Sequence, residues 1–140
     1  MIVIAMSEER KLIDTQQDVI VTGVGALNVI NALKDIARDT PIHNIGYAGS
    51  NNIPVGTRCS IGKVKSYHPN VDFKDLEYSL DGNVTCYTSG DFVTKTNIEE
   101  PCVFDMELAF ILAMGFENVT AEKIVSDILC VKEFDECLKK

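Results

Sequence analysis

The sequence predicts an α/β fold, a layered sheet with helices on both faces, and three observations carry that prediction. Short continuous apolar runs recur, as at residues 2–6 and 122–129, and suit strands buried on both faces. Segments with apolar residues at helical spacing lie between them, as at Leu27, Ile30, Leu33 and Ile36. Glycines at 23, 25 and 115 punctuate the boundaries. Strands alternating with helices define the α/β class.

The elements follow in order. Residues 2–6 form a first strand. Ser7 is placed to cap a short helix, with Glu8 and Glu9 near its positive end. Residues 18–22 form a second strand, and a helix carrying the Leu27 to Ile36 stripe begins after Gly25. Residues 42–46 form a third strand running into Tyr47-Ala48-Gly49-Ser50, and residues 55–67 read as one long strand or two short ones. Asp81-Gly82 separates 76–80 from 84–87 and signals a two-residue hairpin. Residues 105–114 form a helix stopped by Gly115. A strand over 122–129 and a terminal helix over 132–140 complete the chain. Open α/β sheets take ligands at the carboxyl ends of their strands. The candidate rim segments are therefore 6–10, 23–27, 47–50, 89–93 and 126–127.

The 140 residues match one domain, 1–140, long enough to bury a core without staples. The hydrophobic fraction of 46% and charged fraction of 24% are those of a soluble globular chain. A net charge of −8 argues against nucleic acid and against an anionic membrane surface, both of which reward Lys and Arg. A small neutral ligand stays compatible with it. The five cysteines show no CxxC pair and are widely spaced, as expected of small buried hydrophobes in a reducing, cytoplasmic setting. The apolar start lacks a basic segment and reads as a strand, not a signal peptide. No apolar run reaches transmembrane length. His43 and His68 are isolated, and no P-loop, GxSxG elbow or full GxGxxG is present, so neither a metal nor a cofactor is expected.

Three acids stand out. Glu107 is the only charge among apolar residues 106–114; its spacing alone favours Asp105 as helix cap and Glu107 as a first-turn partner of the helix dipole. Asp127 interrupts the run 124–129. It reads equally as a turn or cap residue and as a buried acid whose raised pKa suits proton donation. Glu9, by itself, is an ordinary surface glutamate. Ser89-Gly90-Asp91 is a common turn composition.

The order of these signals resembles a family. Ile4-Ala5-Met6-Ser7-Glu8-Glu9 is similar to the first strand and acidic loop of methylthioadenosine/adenosylhomocysteine nucleosidases, relatives of the purine nucleoside phosphorylases. Thr22-Gly23-Val24-Gly25 resembles their SGIG turn, Asn44-Ile45-Gly46-Tyr47-Ala48-Gly49 their NTGSAGG stretch, and Val55-Gly56-Thr57 the VGD that follows. Tyr67-His68 resembles YHDAD, Ser89-Gly90-Asp91-Phe92-Val93 resembles SGDxFI with one residue missing, Val103-Phe104-Asp105-Met106-Glu107 resembles AVEMEA, and Lys123-Ile124-Val125-Ser126-Asp127 resembles RAISD. The matches run in order through nearly the whole chain.

The resemblance implies a nucleoside phosphorylase-like three-layer αβα sandwich around a twisted mixed sheet, a homodimer or larger homo-oligomer, and a role in purine salvage. It assigns Glu9 to activating the attacking water and Asp127 to protonating N7 of the leaving purine. Met106 lies beneath the ribose, Glu107 on its hydroxyls, Phe92 against the base and Val93 at the base edge through its backbone. Tyr47 and Ser126 fall beside the substrate. Phe73 is a candidate for the neighbouring subunit's 5′ pocket, with ordinary core packing as the competing reading. Hydrolysis of an adenine-type nucleoside is the activity implied; phosphorolysis and a trimmed, non-catalytic binder are the alternatives. Glu8 beside Glu9 repels phosphate and favours water. The chain departs from the pattern in being short, with Tyr47 for a small Ser, Asp105 for Glu and Lys123 for Arg.

Overall fold

The computed structural model describes residues 1–68 and 76–140; Phe73 lies outside the described residues. The strands are β1 (Ile2–Ile4), β2 (Val19–Val21), β3 (Ile42–Ser50), β4 (Arg58–Ser66), β5 (Glu77–Ser79), β6 (Val84–Thr88), β7 (Cys102–Asp105) and β8 (Val119–Asp127). The helices are α1 (Ala26–Leu33), α2 (Leu108–Ala113) and α3 (Val131–Leu138), with a 3-10 turn over Ser7–Leu12. Ser7 opens that turn, and Met6 occupies the cap position.

The α/β class and the mixed sheet match expectation. Strand β1 runs parallel to β2 and β3, and β3 runs parallel to β8. Strand β6 runs parallel to β4 and β7, whereas β3–β7, β4–β8 and β4–β5 are antiparallel. Strand β8 pairs with both β3 and β4, so β3, β7, β6, β4 and β8 close into a five-strand ring, with β1 and β2 extending from β3 and β5 from β4. The ring's seam is short: β7 meets β3 only at Gly49 opposite Phe104 and Ser50 opposite Val103. The two strand directions therefore bring their carboxyl ends to one place, the end of β3 and the end of β7.

Apolar burial explains which residues build this frame. Val29 and Leu33 of α1 and Leu108, Ile111 and Leu112 of α2 pack with Ala48, Val64, Val103 and Val125 from the ring. A smaller cluster of Ile2, Ile4, Ile45 and Ile124 is covered by Leu12 and Ile13 at the end of the 3-10 turn. Helix α3 packs on β8 and has no fully buried residue.

Three expectations change. The stripe from Leu27 to Ile36 faces the core only in its second half: Leu33 is buried and Ile36 packs against the core, but Leu27 is 84% exposed, Ile30 is exposed, and Val29 takes the inward place. The turn at Asp81-Gly82 does not join a hairpin, because β5 and β6 lie on opposite sides of β4. The connecting chain passes close against β4; a Cβ on Gly62 would sit 2.1 Å from the Gly82 carbonyl oxygen, so only glycine fits there. The third change is that residues 102–105 form β7 and the helix begins at Leu108. Pairing of β7 with β6 and β3 holds those residues extended.

Candidate active site

A cavity open to solvent lies where the seam gathers the strand ends. It is lined by Ala5, Met6 and Glu9 after β1, Val24 before α1, Tyr47 to Gly49 of β3, Phe92, Phe104 to Glu107, Asp127 at the end of β8, and Phe134 of α3. Glu9, Glu107 and Asp127 thus share one cavity although 118 positions separate the first from the last (127 − 9). Tyr47, Phe92 and Met106 share it too. Val93 does not line it; it borders a smaller adjoining cavity with Gly49, Phe92 and Met106. Ser126 is the extra residue where the β3–β8 register shifts; it is buried behind Asp127, to which its hydroxyl donates, and does not line the cavity.

Glu9 fills the gap where β1 and β3 part company beyond Val3 and Asn44. One carboxyl oxygen, Oε1, accepts the N–H groups of Ala5 (2.9 Å) and Met6 (3.0 Å), and Oε2 accepts that of Tyr47 (2.7 Å). Gly46 leaves the room, for a Cβ there would lie 2.7 Å from Oε2. Burial raises the pKa of Glu9, opposed by Lys123 and the three amides.

Asp127 is fully buried. Its Oδ1 accepts the Ser126 hydroxyl at 2.5 Å and its Oδ2 accepts the Cys130 N–H at 3.0 Å. Burial pushes its pKa up. Gly49 faces it, and a Cβ there would come within 3.0 Å of Oδ2.

Glu107 occupies the position just before α2 rather than a helical turn. It is 8% exposed, and among the described residues its carboxyl accepts only the Gly25 N–H, at 3.4 Å to Oε2. Burial, then the neighbouring Asp105, pushes its pKa up to about 8. Asp105 is a buried hub. It accepts hydrogen bonds from Thr88 Oγ1 (2.5 Å), Cys86 Sγ (3.3 Å) and the Leu108 N–H (2.8 Å), and its Oδ2 lies 3.1 Å from Lys123 Nζ. Burial opposes its charge, but Lys123 and these donors hold its pKa below the ordinary value. Burial works against the charge on Lys123, which is 1% exposed, but Asp105 together with the other acidic groups around it outweighs that cost and keeps the ammonium charged. Asp105 also accepts the N–H groups of both Glu107 and Leu108, so the cap role read from spacing persists around a helix that starts later.

Ala5, Phe104, Asp105 and Phe134 line the cavity although the sequence does not single them out as wall residues. The Phe134 ring meets Phe92 edge-to-face at 5.5 Å between centroids. The only local signal was the amphipathic pattern of a short terminal helix, which does not say what the apolar face covers. Tyr47 ties that helix to the site: Lys11 lies 5.7 Å over its ring and donates to the carbonyls of Cys137 and Leu138 at the end of α3. Among the described residues, no group of three or more His, Cys, Asp or Glu is placed to hold a metal ion. No described helix is long and apolar enough to cross a membrane.

The fold and this acid-lined cavity can be set beside known proteins. No protein-family model and no curated protein sequence matches the chain. Solved structures do. A Chlamydia trachomatis MTAN bound to MTA superposes with a TM-score of 0.79 at 19% identity, covering 99% of this chain and 88% of the other. The 5′-methylthioadenosine/S-adenosylhomocysteine nucleosidase from S. pneumoniae with the transition-state inhibitor MT-ImmA gives 0.77 at 19%, covering 98% and 90%. The enzyme of the same name from Neisseria meningitidis, in complex with methylthio-immucillin-A, gives 0.73 at 16%, covering 99% and 90%. The chain has the fold of these nucleosidases, over nearly its whole length.

Proposed function

We propose that the chain, acting as one domain over 1–140, hydrolyses the N-glycosidic bond of an adenine-type purine nucleoside. The observation that carries this reading is the meeting of Glu9, Glu107 and Asp127 on one cavity in a nucleosidase fold. Water attacks the anomeric carbon and passes a proton to Glu9. The carbon–nitrogen bond breaks with its electron pair going to the purine, and Asp127 delivers a proton to N7. Glu107 takes the ribose hydroxyls, where a carboxylate also stabilises the cationic sugar of the transition state. Met106 lies under the sugar, Phe92 against the base with Phe134 at its edge, Val93 behind it, and Ser126 holds Asp127.

Ligands in the similar structures, MTA and MT-ImmA, support an adenine-like base and a thioether at the 5′ position. Met6, Val24 and Met106 supply apolar wall for such a group. Water is favoured over phosphate by charge: among the described residues no Lys, Arg or His lines the cavity, and Lys123 behind it is committed to Asp105. Incubation with methylthioadenosine, adenosylhomocysteine, adenosine and inosine is expected to release free base without added phosphate. No release from folded protein rejects hydrolysis, and a phosphate-dependent rate with a sugar 1-phosphate product rejects the choice of water.

The three-layer arrangement and a homodimer or larger homo-oligomer belong to the same reading. Helices α1 and α2 on one side and α3 with the 3-10 turn on the other support the layers. Assembly is supported by an apolar strip of Val21, Val24, Leu27 and Ile30 that is exposed and touches the cavity through Val24. Leu27→Glu is expected to shift the particle mass by light scattering from a multimer to a monomer; an unchanged mass removes this face from the interface. Five free cysteines fit a cytoplasmic setting, with purine salvage as the role.

A further inference from the structure

Three carboxyls, from Glu9, Asp105 and Glu107, surround the inner end of the cavity, and each is almost wholly buried. One ammonium, Lys123, faces all three. Its ion pair with Asp105 at 3.1 Å leaves Glu9 and Glu107, among the described residues, as two buried acids without a cation of their own. Two such neighbours do not both ionise readily, because each charge works against the other and neither is solvated. Donor supply decides which of them keeps the proton. Glu9 accepts three backbone N–H groups at 2.7 to 3.0 Å. Glu107 accepts one, from Gly25, at 3.4 Å.

We infer that Glu107 holds a proton in the ligand-free protein and releases it to solvent when the 2′,3′-diol of a nucleoside binds. This inference rests on the nucleoside reading above and adds a proton balance to it. The groups around Glu107 all bear on it: Asp105 from β7 and Glu9 from the 3-10 turn favour the neutral form, while Lys123 from β8 and the Gly25 N–H favour the ion. The Cys86 thiol of β6 stays neutral, its own pKa raised by burial and by Asp105. A diol brings the two O–H donors that this carboxyl lacks. The ionised form accepts both, so binding and loss of one proton are the same event.

Linkage sets the sign. The free carboxyl titrates near 8, and the bound carboxyl lower. Affinity for a diol-bearing ligand therefore rises about tenfold per pH unit below that region and levels off above it. The probe is 5′-methylthiotubercidin, which keeps the diol but has carbon in place of N7, so Asp127 has no acceptor for its proton. Calorimetry at pH 6 to 7 in buffers of different ionisation enthalpy is expected to show release of about one proton per ligand bound. Difference infrared spectra are expected to lose a protonated-carboxyl stretch on binding. Glu107→Gln removes both signals and flattens the pH dependence. Binding with no proton release and no infrared loss overturns this inference alone, as does equal release by the wild-type and Gln proteins. Failure of folded protein to bind either 5′-methylthiotubercidin or adenine overturns the nucleoside reading and this inference with it.

Discussion

Asp127→Asn is expected to lower base release by about 10²- to 10⁴-fold while the protein stays folded, because an amide cannot supply the proton a departing purine needs. The substitution is nearly isosteric. Asparagine keeps one oxygen for the Cys130 N–H and turns its amide toward Ser126, so the local cost is about 1 kcal/mol. The effect therefore separates cleanly into turnover, followed by chromatography of free base, and stability, followed by thermal unfolding. A pH profile adds a second signature. Burial raises the pKa of Asp127, and the protonated acid is the active form. Base release in the wild-type protein falls as pH rises through that pKa, and this descending limb disappears in the Asn protein. A loss smaller than tenfold removes Asp127 from the role of acid.

The largest loss of stability is expected from Lys123→Met. Removing the ammonium leaves Asp105 buried without its counter-charge, and breaking a buried pair in this way costs about 3–5 kcal/mol. Urea unfolding measures it directly. The pH dependence follows from the lowered pKa of Asp105. In the wild-type protein its stabilising share is present above the unfolded carboxyl's ordinary value and is lost as pH falls through the folded one. In the Met protein Asp105 is free to take up a proton, so the deficit narrows toward acid. Asp105→Asn in the same background restores part of the stability, because the amide oxygen still accepts the Leu108 N–H without a charge to bury. A Lys123→Met protein within 1 kcal/mol of wild type in urea would mean that the pair is dispensable (about a fivefold change in the folding equilibrium).

Much of this architecture is legible along the chain, for reasons that differ by segment. Strands β1, β3, β4 and β8 are visible because each lies in a run of apolar or alternating residues, and the polar segment after β1 marks a break. Strand β7 is hidden because Cys102 to Asp105 merges with the apolar residues of α2, and no glycine or proline divides them. The inward face of the first helical stripe is read correctly at Leu33 and Ile36 but misread at Leu27 and Ile30, because Leu27, Val29, Ile30 and Leu33 are all apolar and periodicity alone cannot say which of them turn inward. Ring closure leaves no local trace, since it depends on β8 finding β3 on one side and β4 on the other. Phe134 is invisible as wall residue for the same reason: its place opposite Phe92 is set by how α3 leaves β8 through Leu129, whose φ of 54° turns the chain.

What the sequence determined alone is the inventory: an α/β chain, a set of acids in a given order, small residues at 46, 48 and 49, and too few cations to offset the acids. Local patterning carries that much because secondary structure and burial tendency depend on residues a few positions apart. Only tertiary structure decided that Glu9, Glu107 and Asp127 look into one cavity, that Val93 and Ser126 stand behind it, and that Lys123 is spent on Asp105. Those outcomes turn on strand pairing between distant segments and on how completely water is removed from each carboxyl. Neither quantity exists until the ring has closed.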